Sequence, residues 1–305
     1  MESSFTTLRR RIANSGARSA SAIIEPPARS WPGGGQRLAA VVEQPFRHHD
    51  VGSPESWDEV LGFLDGRQRA ELIGYVGIHP IVAATVHCAA RLRSDRRMHT
   101  AVEKSRRLVI GRPDALKTVA GALDGCEAVP IEGEDFHPIR DLDRAHDLVD
   151  AARSSLEIAT ARAFRMIHDG WIVVDGPLAL SPDWSRDPRM VGIVKHHGAV
   201  ALSPADYEVY LTVPHGHRTS AFAPGTQRLT PVYAWGLRLW PWEGHDLLHG
   251  LVRVETAATN EALGLADLLA RRIMAERTPV VAGPGAHREL YGIHDVGRYL
   301  RARGA

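Results

Sequence analysis

The segment Trp171-Ile-Val-Val-Asp-Gly-Pro-Leu-Ala179 follows a long helical repeat, and this succession decides the fold. Before it, small and apolar residues recur at three- and four-residue steps, at Leu142, Ala145, Val149, Ala152, Leu156, Ala159, Ala163 and Ile167. This spacing predicts an amphipathic helix over 142–168, which ends at a glycine signal, Asp169-Gly170. The apolar run 171–174 predicts a fully buried strand. A helix therefore leads into a strand of a covered sheet.

Apolar segments on either side of this unit predict a sheet that is substantially antiparallel. Residues 72–93 are apolar and β-branched around Pro80, a pattern that indicates a strand, a turn and a second strand. Further strands are predicted at 107–110, 191–195, 207–213, 229–240 and 251–255, and further helices after Pro113, over 260–277 and over 293–303. The expected fold class is mixed α/β with helices flanking the sheet.

Composition limits the class of protein. The formal net charge is +1, so any binding of nucleic acid must rely on local basic patches. Two cysteines without CxxC spacing argue against a zinc ribbon and a disulfide framework. Residues 1–36 are basic and rich in Ser, Ala, Pro and Gly, and lack the apolar core of a signal peptide. We expect a flexible segment over 1–36, one domain over 37–305, no membrane association and a cytoplasmic location.

Two segments place an aspartate after an apolar run and before a glycine. These are Gly62-Phe-Leu-Asp65-Gly66 and Ile172-Val-Val-Asp175-Gly176. Aspartates at the ends of neighbouring strands would share a hard cation, which carboxylate oxygens suit. The competing interpretation is that each Asp-Gly pair marks a turn. Glu157 on the predicted helix is the candidate third acid, although a helix glutamate is more often a solvated surface residue.

The order of these motifs resembles the NurA family of DNA-end-processing nucleases. The matching elements are FLDGRQR at 63–69, the helix with Arg153 and Glu157, WIVVDGPLA at 171–179, VGIVKHH at 191–197, LRLWPW at 237–242, GLVRVE at 250–255 and ELYGIH at 289–294. The resemblance spans about residues 60–300. Arg67 stands where the family often has serine.

The resemblance implies an RNase H-like core and a divalent-metal-dependent deoxyribonuclease. Its metal-binding residues would be Asp65, Glu157, Asp175 and His294, with Lys195 neutralising the charge of the scissile phosphate. Mn²⁺ or Mg²⁺ would be the cofactor, DNA the substrate, and the chain would form a homodimer served by a HerA-type hexameric ATPase. The sequence contains neither G-x-x-x-x-G-K-[ST] nor G-x-G-x-x-G, which fits a chain that leaves nucleotide hydrolysis to a partner.

Several other patterns leave alternatives open. His245 and His249 have the i,i+4 spacing of zinc ligands on a helix, but the glutamate of a zinc protease is missing. Tryptophans between 235 and 242 would serve either base stacking or core packing. A basic cluster forms either a phosphate track or a solvated face, at Arg91, Arg93, Arg96, Arg97, Lys104, Arg106 and Arg107. The alternative function is a DNA-binding or scaffold subunit that keeps the fold without cutting.

Overall fold

The computed structural model describes residues 5–24, 38–95, 97–133, 135–197, 200–225, 231–279 and 285–304 of the 305-residue chain. In these residues the helices are α1 Thr6–Asn14, α2 Pro113–Val119, α3 Pro138–Arg165, α4 Pro182–Arg186, α5 Pro204–Leu211, α6 Asn260–Gly264, α7 Ala266–Ala275 and α8 Tyr291–Ala302. None of them is long and apolar enough to cross a lipid bilayer.

The strands join into one sheet. They are β1 Arg18–Ile23, β2 Ala40–Val41, β3 His48–Asp50, β4 Leu61–Val76, β5 His79–Ser94, β6 Arg97–Gly111, β7 Glu127–Pro130, β8 Ile172–Asp175, β9 Met190–Val194, β10 His217–Thr219, β11 Phe222–Ala223, β12 Val232–Arg238 and β13 Leu251–Ala257. The main order is β2-β11-β12-β13-β9-β8-β4-β5-β6-β7, while β1 pairs with β4 and β10 pairs with β12 and β3. Most pairings are antiparallel, as predicted; β4–β8, β8–β9 and β6–β7 are parallel.

The centre of the sheet has the topology of an RNase H-like core. Strands β4, β5 and β6 form an antiparallel meander, α3 crosses over, and β8 returns parallel to β4 with β9 parallel to β8. The predicted long helix, the hairpin within 72–93 and the strand at 171–174 are all present as α3, β4–β5 and β8. The predicted fold class is therefore confirmed.

Apolar side chains cover the central sheet on both faces. On one face Phe63 and Val173 pack in a cluster that includes Ile293 and Val296 of α8. On the other, Leu64 and Val174 pack in a cluster with residues of α3. Because neighbouring side chains on a strand point to opposite faces, this alternation also fixes the direction of the residues that follow.

Three local predictions are wrong. Residues 207–213 belong largely to α5, since Ser203 accepts a hydrogen bond from the Asp206 amide and Pro204 occupies the first turn, a start signal that the strand prediction overlooked. The predicted helix over 260–277 breaks at Leu265 into α6 and α7. Asp65 does not end a strand, because β4 continues to Val76 and Gly66 pairs with Cys88 in the ladder.

The prediction of a flexible segment over 1–36 is also wrong for residues 5–24. Helix α1 buries Phe5, Leu8 and Ile12, and these pack with Ile73 and Ile81 of the sheet. Strand β1 pairs with the C-terminal part of β4, at residues 71–75. Residues 1–4 and 25–36 lie outside the described residues. Residues 5–24 therefore contribute an amphipathic helix and a paired strand to the folded domain.

Candidate active site

Asp65 and Asp175 lie beside each other on neighbouring parallel strands. The register pairs Gly62 with Ile172 and Leu64 with Val174, so the next positions along the two strands are the two aspartates. Adjacent strands are about 4.8 Å apart, which brings the two side chains into the same small volume. Since Phe63 and Val173 face α8, Asp65 and Asp175 face it too.

Helix α8 closes over this pair because it carries glycines where it meets β4. A Cβ at Gly292 would overlap the Phe63 ring, and a Cβ at Gly297 would lie 3.4 Å from Asp65 Oδ2. The helix therefore approaches the strand closely. Its own polar residue His294 and the preceding Glu289 line the same cleft as the two aspartates.

Glu157 approaches from the opposite face of β4. It is buried on α3 and lies over Gly66, where a Cβ would come within 2.8 Å of Glu157 Cγ. Arg153 Nη1 donates to Glu157 Oε1 at 2.6 Å, and Arg153 Nε donates to Gln68 Oε1 at 3.1 Å. Because Gly66 has no side chain, Glu157 packs directly against β4, on the face opposite to the Asp65 side chain.

Lys195, just after β9, lies between two carboxylates. Its Nζ donates to Asp175 Oδ2 at 2.8 Å and to Glu289 Oε1 at 2.9 Å. Burial works against the charged lysine, but Asp175 and Glu289 outweigh it and raise the pKa of Lys195. Both carboxylates line the cleft, whereas Lys195 is not among the residues that line it.

Burial and the neighbouring acids change the pKa of Asp65. Burial first, then the charges of Asp175 and Glu157, raise the pKa of Asp65 to about 7, although Lys195 opposes the change. Burial and Asp175 also raise the pKa of Glu157, against the effect of Arg153. The three predicted acids therefore interact electrostatically, which distant surface acids would not do.

Asp65 and Asp175 line an open cleft of about 580 Å³, whereas the buried Glu157 does not line it. Its lining residues are Asp65, Gly66, Arg67, Gln68, Asp150, Arg153, Asp175, Thr278, Ala286, Glu289, Ile293, His294, Gly297 and Arg301. Among the described residues, Arg67 and Arg301 have no carboxylate partner within salt-bridge distance. The cleft thus combines an acidic group with two arginines that are available to an anion.

The donor set suits a hard divalent cation, since carboxylate oxygens are the preferred ligands of Mg²⁺ and Mn²⁺. Over the ranges that the structure describes, however, no three His, Cys, Asp or Glu side chains are placed as a ready metal cluster. Two of the predicted ligands are engaged in ion pairs, Glu157 with Arg153 and Asp175 with Lys195. The donor atoms of Asp65, Asp175 and Glu157 therefore suit a divalent ion, although the three carboxylates are not already placed around one point.

Sequence reasoning left Glu289 out of the site. It precedes α8 within the motif ELYGIH, and the signal that would have found it is its position five residues before His294. A carboxylate at that distance along the segment lines the same cleft as the histidine. Arg67 and Arg301 were also left out, because nothing in their local sequence indicates that β4 and α8 meet.

The alternatives for the histidines and the basic cluster are now decided in part. His245 and His249 lie in turns, and their rings stack at 3.9 Å between centroids, so a helical zinc pair is wrong. Arg91, Arg93 and Arg106 are neutralised by Asp295, Glu276 and Glu127 and do not form a free phosphate track. Arg96 lies outside the described residues. Trp235 is buried in the core, as the packing alternative expects.

Comparisons with known proteins give little beyond this geometry. No protein-family model matches the chain, and no curated protein matches it in sequence. Among solved structures, the chain is similar to the NurA nuclease from Sulfolobus solfataricus, with a TM-score of 0.47 and 11% identity, over 82% of this chain and 85% of that one. So loose a likeness carries no argument about activity, which has to come from the cleft itself.

Proposed function

We propose that the chain is a divalent-metal-dependent deoxyribonuclease that hydrolyses phosphodiester bonds at this cleft. The observation that carries the proposal is the placement of Asp65 beside Asp175 on neighbouring parallel strands, in a cleft that Arg67 and Arg301 also line, where burial and the neighbouring acids raise the pKa of Asp65 to about 7. A fold does not keep acids so crowded for stability, because each charge raises the cost of the others. A bound cation offsets that cost.

Each residue has a role that follows from its chemistry. Asp65, Asp175 and Glu157 would hold Mn²⁺ or Mg²⁺, which when bound supplies an activated water and stabilises charge on the phosphate. Arg67 and Arg301 would bind backbone phosphates, since guanidinium groups match their geometry. His294 would complete the metal shell or carry a proton, because imidazole is both a common metal ligand and a common general acid or base.

Degradation of linear DNA tests this proposal. Wild-type chain should degrade end-labelled linear DNA in Mn²⁺ and not in excess EDTA, and Asp175→Asn should lower the rate by at least about 100-fold. Asp183→Asn is the matched control, since Asp183 lies in an exposed ion pair with Arg162, and it should cut normally. Equal rates for wild type and Asp175→Asn would refute the site. A wild type that binds but never cuts, alone or with an ATPase partner, would favour the scaffold alternative.

We further propose a homodimer and a HerA-type hexameric ATPase as its partner. Support comes from the motif resemblance and from the lack of a nucleotide-binding motif in the sequence. Light scattering on the purified chain measures the first. ATP-dependent stimulation of cutting by a co-expressed HerA-type ATPase measures the second.

A further inference from the structure

The lysine between Asp175 and Glu289 has the environment of a bound cation. Its ammonium contacts one oxygen of each carboxylate, at 2.8 and 2.9 Å, and its side chain is only 16% exposed. Lys195 donates to Oδ2 of Asp175, which leaves Oδ1 for another ligand. Lysine therefore already occupies one of the two directions from which a cation would approach Asp175.

The charges of the inner site support a definite number of metal ions. We define the inner site as the carboxylates Asp65, Glu157, Asp175 and Glu289 with the two cations that contact them, Arg153 and Lys195; Asp150, Arg67 and Arg301 also line the cleft and are not part of this set. Asp65 has no ion pair with any residue in the described ranges. With these six groups ionised, the inner site carries two negative charges that no cation of the set offsets, and one divalent ion would neutralise them.

We infer that this site binds one divalent ion per chain, between Asp65 and Asp175, and that Lys195, held in position by Glu289, takes the place of a second ion. The inference rests on the proposed function and specifies it further. In two-metal sites the ions lie about 3.5–4 Å apart and share a carboxylate. Here a second ion sharing Asp175 would have to enter against the Lys195 ammonium, which is fixed and cannot leave as a hydrated ion does.

Glu289 is in this scheme a positioning residue. Asp175 alone would have to bind both the metal ion and the lysine, and the ion would draw the carboxylate away from Lys195. The second contact, to Glu289, keeps the ammonium in place when a metal ion arrives. Glu289 is contributed by the segment before α8, so the lysine also links β9 to that helix.

Counting bound Mn²⁺ tests the inference without any cleavage. Metal-free, full-length chain is titrated with Mn²⁺ by calorimetry, and free Mn²⁺ is measured in parallel by electron paramagnetic resonance. Wild type should bind about one ion per chain. Lys195→Met, which keeps the side-chain length and removes the charge, should bind about two, because Asp175 and Glu289 then form the acidic half of a second site. Adding Glu289→Gln to Lys195→Met should return the count to about one.

The matched control is Lys117→Met, an exposed lysine paired with Asp114 on α2, which should bind as wild type does. Two ions bound by wild type, or one ion bound by a folded Lys195→Met, would overturn the inference and leave the proposed nuclease standing. No binding of Mn²⁺ by wild type would instead contradict the metal dependence itself. If Lys195→Met does not fold, the wild-type count still decides between one ion and two.

Discussion

Asp65 is held in the folded protein at an energetic cost. Its ordinary pKa of 3.8 is raised to about 7 by burial and by Asp175 and Glu157. A carboxyl whose pKa rises on folding stabilises the folded state while it is protonated, below its unfolded pKa, and that contribution is lost as pH rises through the folded value. The metal-free protein should therefore lose stability between about pH 4 and pH 8 through this group.

Asp65→Asn should remove this loss. At pH 8 the metal-free variant should be more stable than wild type, by at most about 4 kcal/mol, because the amide carries no charge to be repelled. At pH 4 the two proteins should differ little, and Asp65→Asn should not cut DNA at any pH. Urea unfolding at both pH values in EDTA measures the difference.

The control for this experiment is Asp124→Asn, because Asp124 is largely exposed and distant from the acids. It should follow the wild-type dependence on pH. A variant Asp65→Asn that is less stable than wild type at pH 8 would show that hydrogen bonding to the carboxylate outweighs the repulsion.

At the scale of elements, the site depends on two helices that approach the same strand from opposite faces. Helix α8 meets β4 over Gly292 and Gly297, and α3 meets it over Gly62 and Gly66. Because a glycine has no side chain, each helix comes close enough to place a polar group near Asp65. The mid-strand position of Asp65 is what allows both helices to reach it.

Gly66→Ala should displace Glu157 without touching any other predicted acid. The new Cβ would lie 2.8 Å from Glu157 Cγ and 2.9 Å from its Cδ, so the side chain must move. Overpacking of this kind costs about 1–3 kcal/mol. We expect that loss in chemical denaturation, together with a fall in Mn²⁺ affinity of at least about 10-fold.

Gly121→Ala is the matched control, since a Cβ at Gly121 meets nothing within 4 Å. It should leave Mn²⁺ affinity unchanged and stability equal or slightly higher. Unchanged metal binding in Gly66→Ala would mean that Glu157 is not a ligand.

At the scale of the whole molecule, residues 5–24 add a strand and a covering helix to the sheet, beside the C-terminal part of β4. Helix α1 covers a separate apolar cluster with Ile73, Ile81 and Val109, far along the hairpin from the acids. Ile12 is fully buried there, and Ile23 on β1 is 76% exposed. One isoleucine of this segment is therefore part of a core and the other is not.

Ile12→Ala should lower the free energy of unfolding by about 2–4 kcal/mol, because it removes buried methyl groups and leaves a cavity. Ile23→Ala should change it by less than about 0.5 kcal/mol. Thermal or urea unfolding of the two variants distinguishes a folded segment from a flexible leader. If both variants were as stable as wild type, residues 5–24 would behave as a flexible segment, as the sequence predicted.

The sequence by itself determined the elements that are locally encoded. The periodicity of α3, the apolar run of β8 and the hairpin within 72–93 depend on residues close in the chain, so their patterns are legible without a structure. The same patterns led to Asp65, Asp175 and Glu157 as candidates. They failed at α5, where a capping serine and a proline outweigh β-branched composition.

Only the tertiary structure decided how these residues meet. The parallel register of β4 and β8 places Asp65 beside Asp175. Gly66, which has no side chain, lets Glu157 pack against β4 from the opposite face. The segment before α8 brings Glu289 into contact with Lys195. Each of these contacts joins residues far apart in the chain, so no local pattern encodes it. The sequence shows which residues are acids, because that is a property of single residues. Which groups contact these acids, and how far their pKa values shift, depends on burial and distance, which arise only when the sheet is assembled.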